Sequence, residues 1–182
     1  MKLKEGILLI AKPQMTDPQF FKTVILLIHH NNKESIGLVL NQDTDLQLID
    51  LIELKSKQKF PVYIGGPVQK NTLHYIHTKG EKIKNAKHIK ENIYWGGDFN
   101  QVKNLIEENK ITPNEIRFFA GYSGWTNEQL KNEIIEGSWI TKDANTKLCM
   151  QYYKTHDVWR KHIKNINKYA IWSNMPNNPN LN

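Results

Sequence analysis

The residues best equipped for chemistry gather around one serine. Ser123 lies in Gly121-Tyr122-Ser123-Gly124-Trp125, between an apolar run and a helix-start signal, which is the context of a nucleophile elbow. The match to Gly-x-Ser-x-Gly is incomplete. Trp125 occupies the position where a second glycine would relieve the crowding of a sharp turn. A serine hydrolase also needs a base and an acid. His156 and His162 follow, with Asp143 or Asp157 as partners, but they do not stand in the usual order and read as solvated groups on a polar helix. Hydrolysis through Ser123 is thus an alternative reading rather than the leading one. The same neighbourhood suggests an anion site, because a helix opening at Thr126 leaves backbone N–H groups beside Gly124, with Arg117 on the preceding strand. Arg117 paired with Glu133 or Asp98 is the competing arrangement.

Metal and cofactor chemistry find less support. His29 and His30 point to opposite faces of a strand, as do His74 and His77, so neither pair converges as zinc ligands must. Gly65-Gly66 and Gly96-Gly97 lack the lysine and hydroxyl of a phosphate loop and the full dinucleotide fingerprint. The expectation is therefore no metal and no cofactor.

Three glycine-and-aromatic clusters stand out instead: Gly65-Gly66-Pro67-Val68, Tyr94-Trp95-Gly96-Gly97-Asp98 and the segment around Ser123. Six of the ten glycines fall in them, which predicts three strand ends gathered around one concave place. The candidate ligand-binding residues are Gly65, Gly66, Pro67, Tyr94, Trp95, Gly96, Gly97, Arg117, Tyr122, Ser123, Gly124 and Trp125.

These residues need strands and helices to position them. Ile7 to Ala11, Thr23 to Ile28 and Ile36 to Leu40 are apolar runs of strand length bounded by turn residues, and they read as buried strands. Leu48, Leu51 and Ile52 recur at helical spacing and predict a short amphipathic helix over 46–54. Strands follow at Val62 to Ile64 and Leu73 to His77, then a basic hairpin loop with an edge strand over 79–90. Asp98 with Gln101, and Thr126 with Gln129, make capping-box patterns ahead of two helices. Between those helices Ile116 to Tyr122 predicts a strand, and Gly137 marks the end of the second helix before a strand at Trp139. A last helix over 155–170 carries Val158, Trp159, Ile163 and Ile166 on one stripe, and the asparagine-rich residues 174–182 read as a disordered tail.

Composition bounds the function. A chain of 182 residues suits one domain, here 1–173, that buries roughly 70% of its unfolded surface without a metal or disulfide. The single Cys149 and the absence of a long apolar run predict a cytoplasmic protein with a buried thiol and no membrane span. The net charge of +7 invites a polyanion partner, yet only Arg117 and Arg160 are arginines and the lysines are spread along the chain. Direct nucleic-acid binding is accordingly not favoured, because bidentate readout relies on arginine.

In their order, Gly6-Ile7-Leu8-Leu9-Ile10-Ala11, Asp17-Pro18, Phe20, Thr23-Val24-Ile25-Leu26-Leu27, Gly37-Leu38-Val39-Leu40-Asn41, the three clusters, Gln129-Leu130, Glu133-Ile134 and Gly137-x-Trp139 resemble the YqgE/AlgH family across about residues 4 to 165. The resemblance implies a bacterial, cytosolic α+β protein: a single compact domain with a mixed, partly barrel-like β-sheet and flanking helices. It also brings the label of transcriptional regulator. Gln42 and Lys22 stand where arginine is common in the family, and Ser123 where alanine is frequent, which argues against an obligatory nucleophile. The expected function is a non-catalytic binding protein that holds a small molecule or a protein partner on its glycine-aromatic surface.

Overall fold

Strands whose residues are apolar on both faces require packed layers on both sides of the sheet, and the chain supplies them. A computed structural model describes residues 3–151 and 155–174. The strands are β1 (Ile7–Ala11), β2 (Val24–His30), β3 (Glu34–Val39), β4 (Asp43–Gln47), β5 (Pro61–Ile64), β6 (Val68–His77), β7 (Lys87–Lys90), β8 (Ile93–Trp95), β9 (Ile116–Thr126) and β10 (Trp139–Asp143). The helices are α1 (Phe99–Glu107), α2 (Asn127–Ile135), α3 (Thr146–Met150) and α4 (Thr155–Lys164). The sheet runs β10-β1-β2-β3-β9-β6-β8-β7, and β5, paired with β4, joins β9 in parallel. The other strand pairs are antiparallel, so this is an α+β fold on a mixed sheet.

The sheet curls into a half-barrel whose ends approach each other. Lys87 pairs with Glu5 at 2.5 Å, Lys90 pairs with Asp143, and Gly6 lies so close to Lys90 that a Cβ on it would stand 2.7 Å from the lysine Cβ. Inside the curl, Leu8, Leu26, Leu38, Ile76 and Phe119 pack on Cys149 of α3 and on Val158, Trp159 and Ile163 of α4. The Trp159 indole donates to the Ala11 carbonyl at 2.7 Å and ties α4 to β1. Outside the curl, Leu130 of α2 covers Leu9, Leu27 and Trp125, while Val102 and Ile106 of α1 cover Val62, Tyr75 and Phe118. All five residues of β1 are buried for that reason.

The long β9 is the spine. Its first half lies between β6 and β5, and its second half pairs with β3. The exchange happens at Gly121, whose φ of +67° is open to glycine at little cost. There the Gly65-Gly66 turn presses backbone on backbone: the Gly65 amide donates to the Ala120 carbonyl at 2.8 Å, and the Val39 amide donates to Gly65 at 2.9 Å. A Cβ on Gly65 would stand 2.2 Å from the Gly121 oxygen, and one on Gly66 2.3 Å from the Tyr122 backbone.

Besides β6, which starts at Val68 rather than Leu73, and β8, which was not expected, four elements differ from the sequence expectation. The helix over 46–54 is absent: residues 43–47 pair with β5, and one 3-10 turn, Leu48–Asp50, follows. The Leu48 amide donates to the Phe60 carbonyl, so tertiary pairing replaces the bonds of a helix too short to be stable alone. The strand beginning at Ile116 continues to Thr126, because β3 supplies partners beyond Tyr122. The short α3, capped by Asn145, was not foreseen. The last helix stops at Lys164 and a 3-10 stretch, Asn167–Asn174, takes over, while 175–182 of the expected tail lie outside the described residues. Both capping signals mark true helix starts. Each box is half made, since Asp98 and Thr126 accept from the first-turn amides while Gln101 and Gln129 bond elsewhere. No helix among the described residues is long and apolar enough to cross a membrane.

The contacts at the glycines separate two kinds of position. Gly65→Ala forces a methyl into a carbonyl that cannot retreat and should cost about 3 kcal/mol. Gly96→Ala meets nothing within 4 Å and should cost about 1 kcal/mol, for its φ of +65° alone. Urea midpoints at unchanged m-value measure both, and equal losses would contradict the backbone joint.

Candidate functional site

Ser123 is placed where it cannot meet a substrate. It is fully buried in β9, two residues past the joint, and its hydroxyl donates to the Gly65 carbonyl at 3.2 Å. The strand continues for three residues beyond it, so no elbow forms. Of the groups considered as its base and acid, Asp143 pairs with Lys90 at the seam, and the side chains of His156 and Asp157 lie outside the described residues. His162 is buried rather than solvated, and burial pushes its imidazole down to about 4. It therefore stays neutral at neutral pH.

Arg117 is no anion ligand at a helix start. It lies nine positions before Thr126, is 1% exposed, and aims into the curl. Its guanidinium donates to the carbonyls of Cys149 at 2.8 Å and Leu40 at 2.7 Å, and lies 4.2 Å from the Tyr63 ring centre. The partners expected for it are engaged elsewhere. Glu133 accepts from the indoles of Trp125 at 3.0 Å and Trp139 at 2.7 Å, and Asp98 caps α1. One carboxylate thus binds two tryptophans from two strands to α2. Trp125, stacked on Phe20 at 5.8 Å, is a core residue with 4% exposure. The Cys149 thiol is buried as expected and pushed up to about 12 by its loss of water, which keeps it unreactive.

The three clusters meet in pairs rather than at one cavity. Gly65 and Gly66 are spent on the backbone joint with Gly121, and Pro67 is half-buried beside them. The second cluster opens onto a concave site of about 450 Å³, lined by His74, Tyr75, Trp95 and Phe99 together with Ile52, Leu73 and the Gly96-Gly97 backbone. The third cluster contributes Tyr122, Gly124 and the edge of Trp125 to a separate, more polar hollow of about 450 Å³ beside Lys33 to Ile36. His74 joins the two: its ring stacks on Trp95 at 6.2 Å and meets Tyr122 edge-on at 5.5 Å. Sequence reasoning passed over His74, which it weighed only as a zinc ligand. Alternation along β6 does carry the signal, since His74 and Ile76 share a face and Ile76 pairs directly with Trp95.

Hydrogen bonds define the histidines here. The Lys79 amide donates to His77 Nδ1 at 3.2 Å, so His77 Nε2 carries the proton that it gives to the Gly96 carbonyl at 3.0 Å. His77 is thereby a neutral, buried pin that holds the Gly96-Gly97 turn, assisted by the Tyr75 hydroxyl donating to Gly97 at 2.7 Å. Tyr94, on the opposite face from Trp95, stacks on His77 at 5.9 Å and is part of this support. His74 is poised differently. The Thr72 hydroxyl donates to the Gln69 carbonyl, so His74 Nε2 must donate to Thr72 and its Nδ1 is left as a lone-pair acceptor. Burial lowers its pKa as well. The concave site is thus apolar and aromatic, with one neutral acceptor. Among the described residues no three His, Cys, Asp or Glu side chains are grouped to hold a metal ion.

Comparison with known proteins adds the context. Residues 8–170 match the model of a family described as AlgH-like. A UPF0301 protein of Chlorobium limicola is 38% identical, over 100% of this chain and 97% of the relative, and one of Bacteroides thetaiotaomicron is 37% identical, over 97% and 90%. The solution structure of the AlgH protein from Pseudomonas aeruginosa superposes with a TM-score of 0.67 at 25% identity, covering 83% of this chain and 85% of that one. A crystal structure of a Corynebacterium diphtheriae protein gives a TM-score of 0.73 at 23% identity, covering 91% and 88%.

The buried histidines make stability depend on pH with a definite sign. An unfolded histidine titrates near 6.5, whereas folded His162 titrates near 4, and His30, His74 and His77 shift the same way. Above pH 6.5 both states are neutral. Between 6.5 and 4 only the unfolded chain gains the proton, so stability falls as the solution is acidified, by on the order of 3 kcal/mol for His162. His162→Asn should flatten that loss between pH 7 and 5 in urea titrations, and an unchanged slope would count against burial of a neutral imidazole.

Proposed function

The chain belongs to the AlgH-like family, and on that premise we propose that it is a non-catalytic binding protein that holds a small, uncharged, ring-bearing molecule against Trp95 and His74. One observation carries the reading: the concave site of about 450 Å³ at the second cluster is walled by the rings of Tyr75, Trp95 and Phe99 and by the neutral imidazole of His74, whose Nδ1 is an acceptor. A planar ring gains contact area and stacking energy there, and an N–H or O–H on it satisfies His74. An uncharged ligand is favoured because no lysine or arginine lines the concavity itself, and Lys87, 5.9 Å from the Trp95 ring centre, is already paired with Glu5.

The buried Ser123 argues for binding rather than acyl transfer. The basic surface argues only weakly for nucleic acid, since Lys79, Lys87, Lys90 and Lys110 are each engaged with a carboxylate. The regulatory role attached to the family then reads as ligand sensing: occupancy next to the Gly96-Gly97 turn is communicated to a partner. A cytoplasmic location accords with the single buried thiol.

A fragment collection of uncharged one- and two-ring compounds, followed by amide and indole NMR shifts, tests this. Saturable shifts at Trp95, Gly96 and Gly97 are expected. Trp95→Leu should weaken the best fragment at least tenfold while leaving the melting temperature within a few degrees of the parent. Fragments that bind Trp95→Leu as well as the parent, or that shift only other regions, would sink the reading.

A further inference from the structure

The segment that was expected to be a helix is also where the surface is least ordinary. Leu46, Ile49 and Leu51 are 41%, 54% and 45% exposed, and they account for three of the five large apolar side chains exposed among the described residues. Scattered exposed apolar residues are unremarkable on a folded protein, but three within six positions form a strip. Its charge is equally distinctive. No lysine or arginine occurs between Lys33 and Lys55, while Asp43, Asp45, Asp50 and Glu53 are all exposed there, on a chain whose net charge is +7.

We propose that this strip docks a protein partner through a basic amphipathic segment, with its apolar side chains seated on Leu46, Ile49 and Leu51 and its lysines or arginines over Asp45, Asp50 and Glu53. The acids decide the occupant. They repel phosphate, which excludes nucleic acid and anionic membrane surfaces, and they attract a cationic chain. A two-fold contact with a second copy would bring Asp45, Asp50 and Glu53 against themselves. The docking is by side chains rather than by an added strand, because the Leu46 amide already donates to the Thr44 hydroxyl at 3.0 Å and the Gln47 amide to the Asp50 carboxylate at 2.7 Å. The strip adjoins the aromatic site at Ile52, which lines it. The proposal stands on different residues from that site and survives if no ring-bearing ligand is found.

Two synthetic amphipathic peptides test it against the full chain with methyl-labelled leucine and isoleucine: one built of leucine and lysine, the other with every lysine replaced by glutamate. The lysine peptide should give saturable shifts at Leu46, Ile49 and Leu51, weakened by added salt. The glutamate peptide should give none. Ile49→Lys with Leu51→Lys should lower affinity at least tenfold, and so should Asp45→Lys with Glu53→Lys, which leaves the apolar residues in place. Equal binding of both peptides, lysine-peptide shifts that map elsewhere, or no binding at millimolar peptide would overturn the proposal. So would the same shifts appearing on concentration of the protein alone, which would make a second copy the occupant.

Discussion

The fold depends on one contact between backbones. Gly65 and Gly66 lie against Gly121, Tyr122 and Ser123 with no room for a side chain between them, and β9 changes partners there, from β5 to β3. Were the two segments held a side chain's width apart, the Gly65 amide and carbonyl would lose the Ala120, Val39 and Ser123 groups that satisfy them. The outer pair β4-β5 and the β1-β2-β3 half of the sheet would then no longer share a spine. The cluster that looked most like an active site is in this sense a structural joint. Its serine hydroxyl completes the hydrogen bonding of a buried turn.

Two charged groups, the buried Arg117 and the half-buried Glu133, tie further layers to that spine. Arg117 reaches from β9 to the carbonyls of Leu40 and Cys149, which fixes the end of β3 and the short α3 at the inner face of the curl. Glu133 collects two indole N–H groups from β9 and β10 and so seats α2 on the outer face. Charge drawn out of water needs hydrogen-bond partners, and here the partners come from elements far apart in the chain. The seam of the half-barrel is held more lightly, by partly exposed pairs such as Lys87 with Glu5, which contribute modestly.

Helices cover both faces of the sheet, and two of the surfaces they leave uncovered lie where a strand runs out. At β8 the Gly96-Gly97 turn departs toward α1 and uncovers Leu73 and His74 of β6, which makes the aromatic site. At β4 the sheet ends altogether and the apolar-acidic strip faces outward. The two surfaces differ in chemistry. One is a concave wall of rings around a neutral imidazole, the other an exposed apolar strip with a negative border.

Most of the fold was legible from local patterns. Apolar runs located β1, β2, β3 and the start of β9, and Asp98, Thr126 and Gly137 marked helix ends, because strand alternation, capping and left-handed turns are set within a few residues. The order of motifs placed the chain in its family. What the sequence could not determine is which neighbour each residue would meet. Gly65 and Gly96 read alike as glycines beside an aromatic cluster, yet one is compressed against a carbonyl and the other faces open space. His162 on a polar helix proved buried, Arg117 was drawn to the carbonyls of Leu40 and Cys149, and the helical pattern over 46–54 gave way to strand pairing of residues 43–47 with β5 and a single 3-10 turn. Local chemistry is written in consecutive residues, whereas burial and pairing are decided by groups brought together across the chain, and only the tertiary structure specifies those.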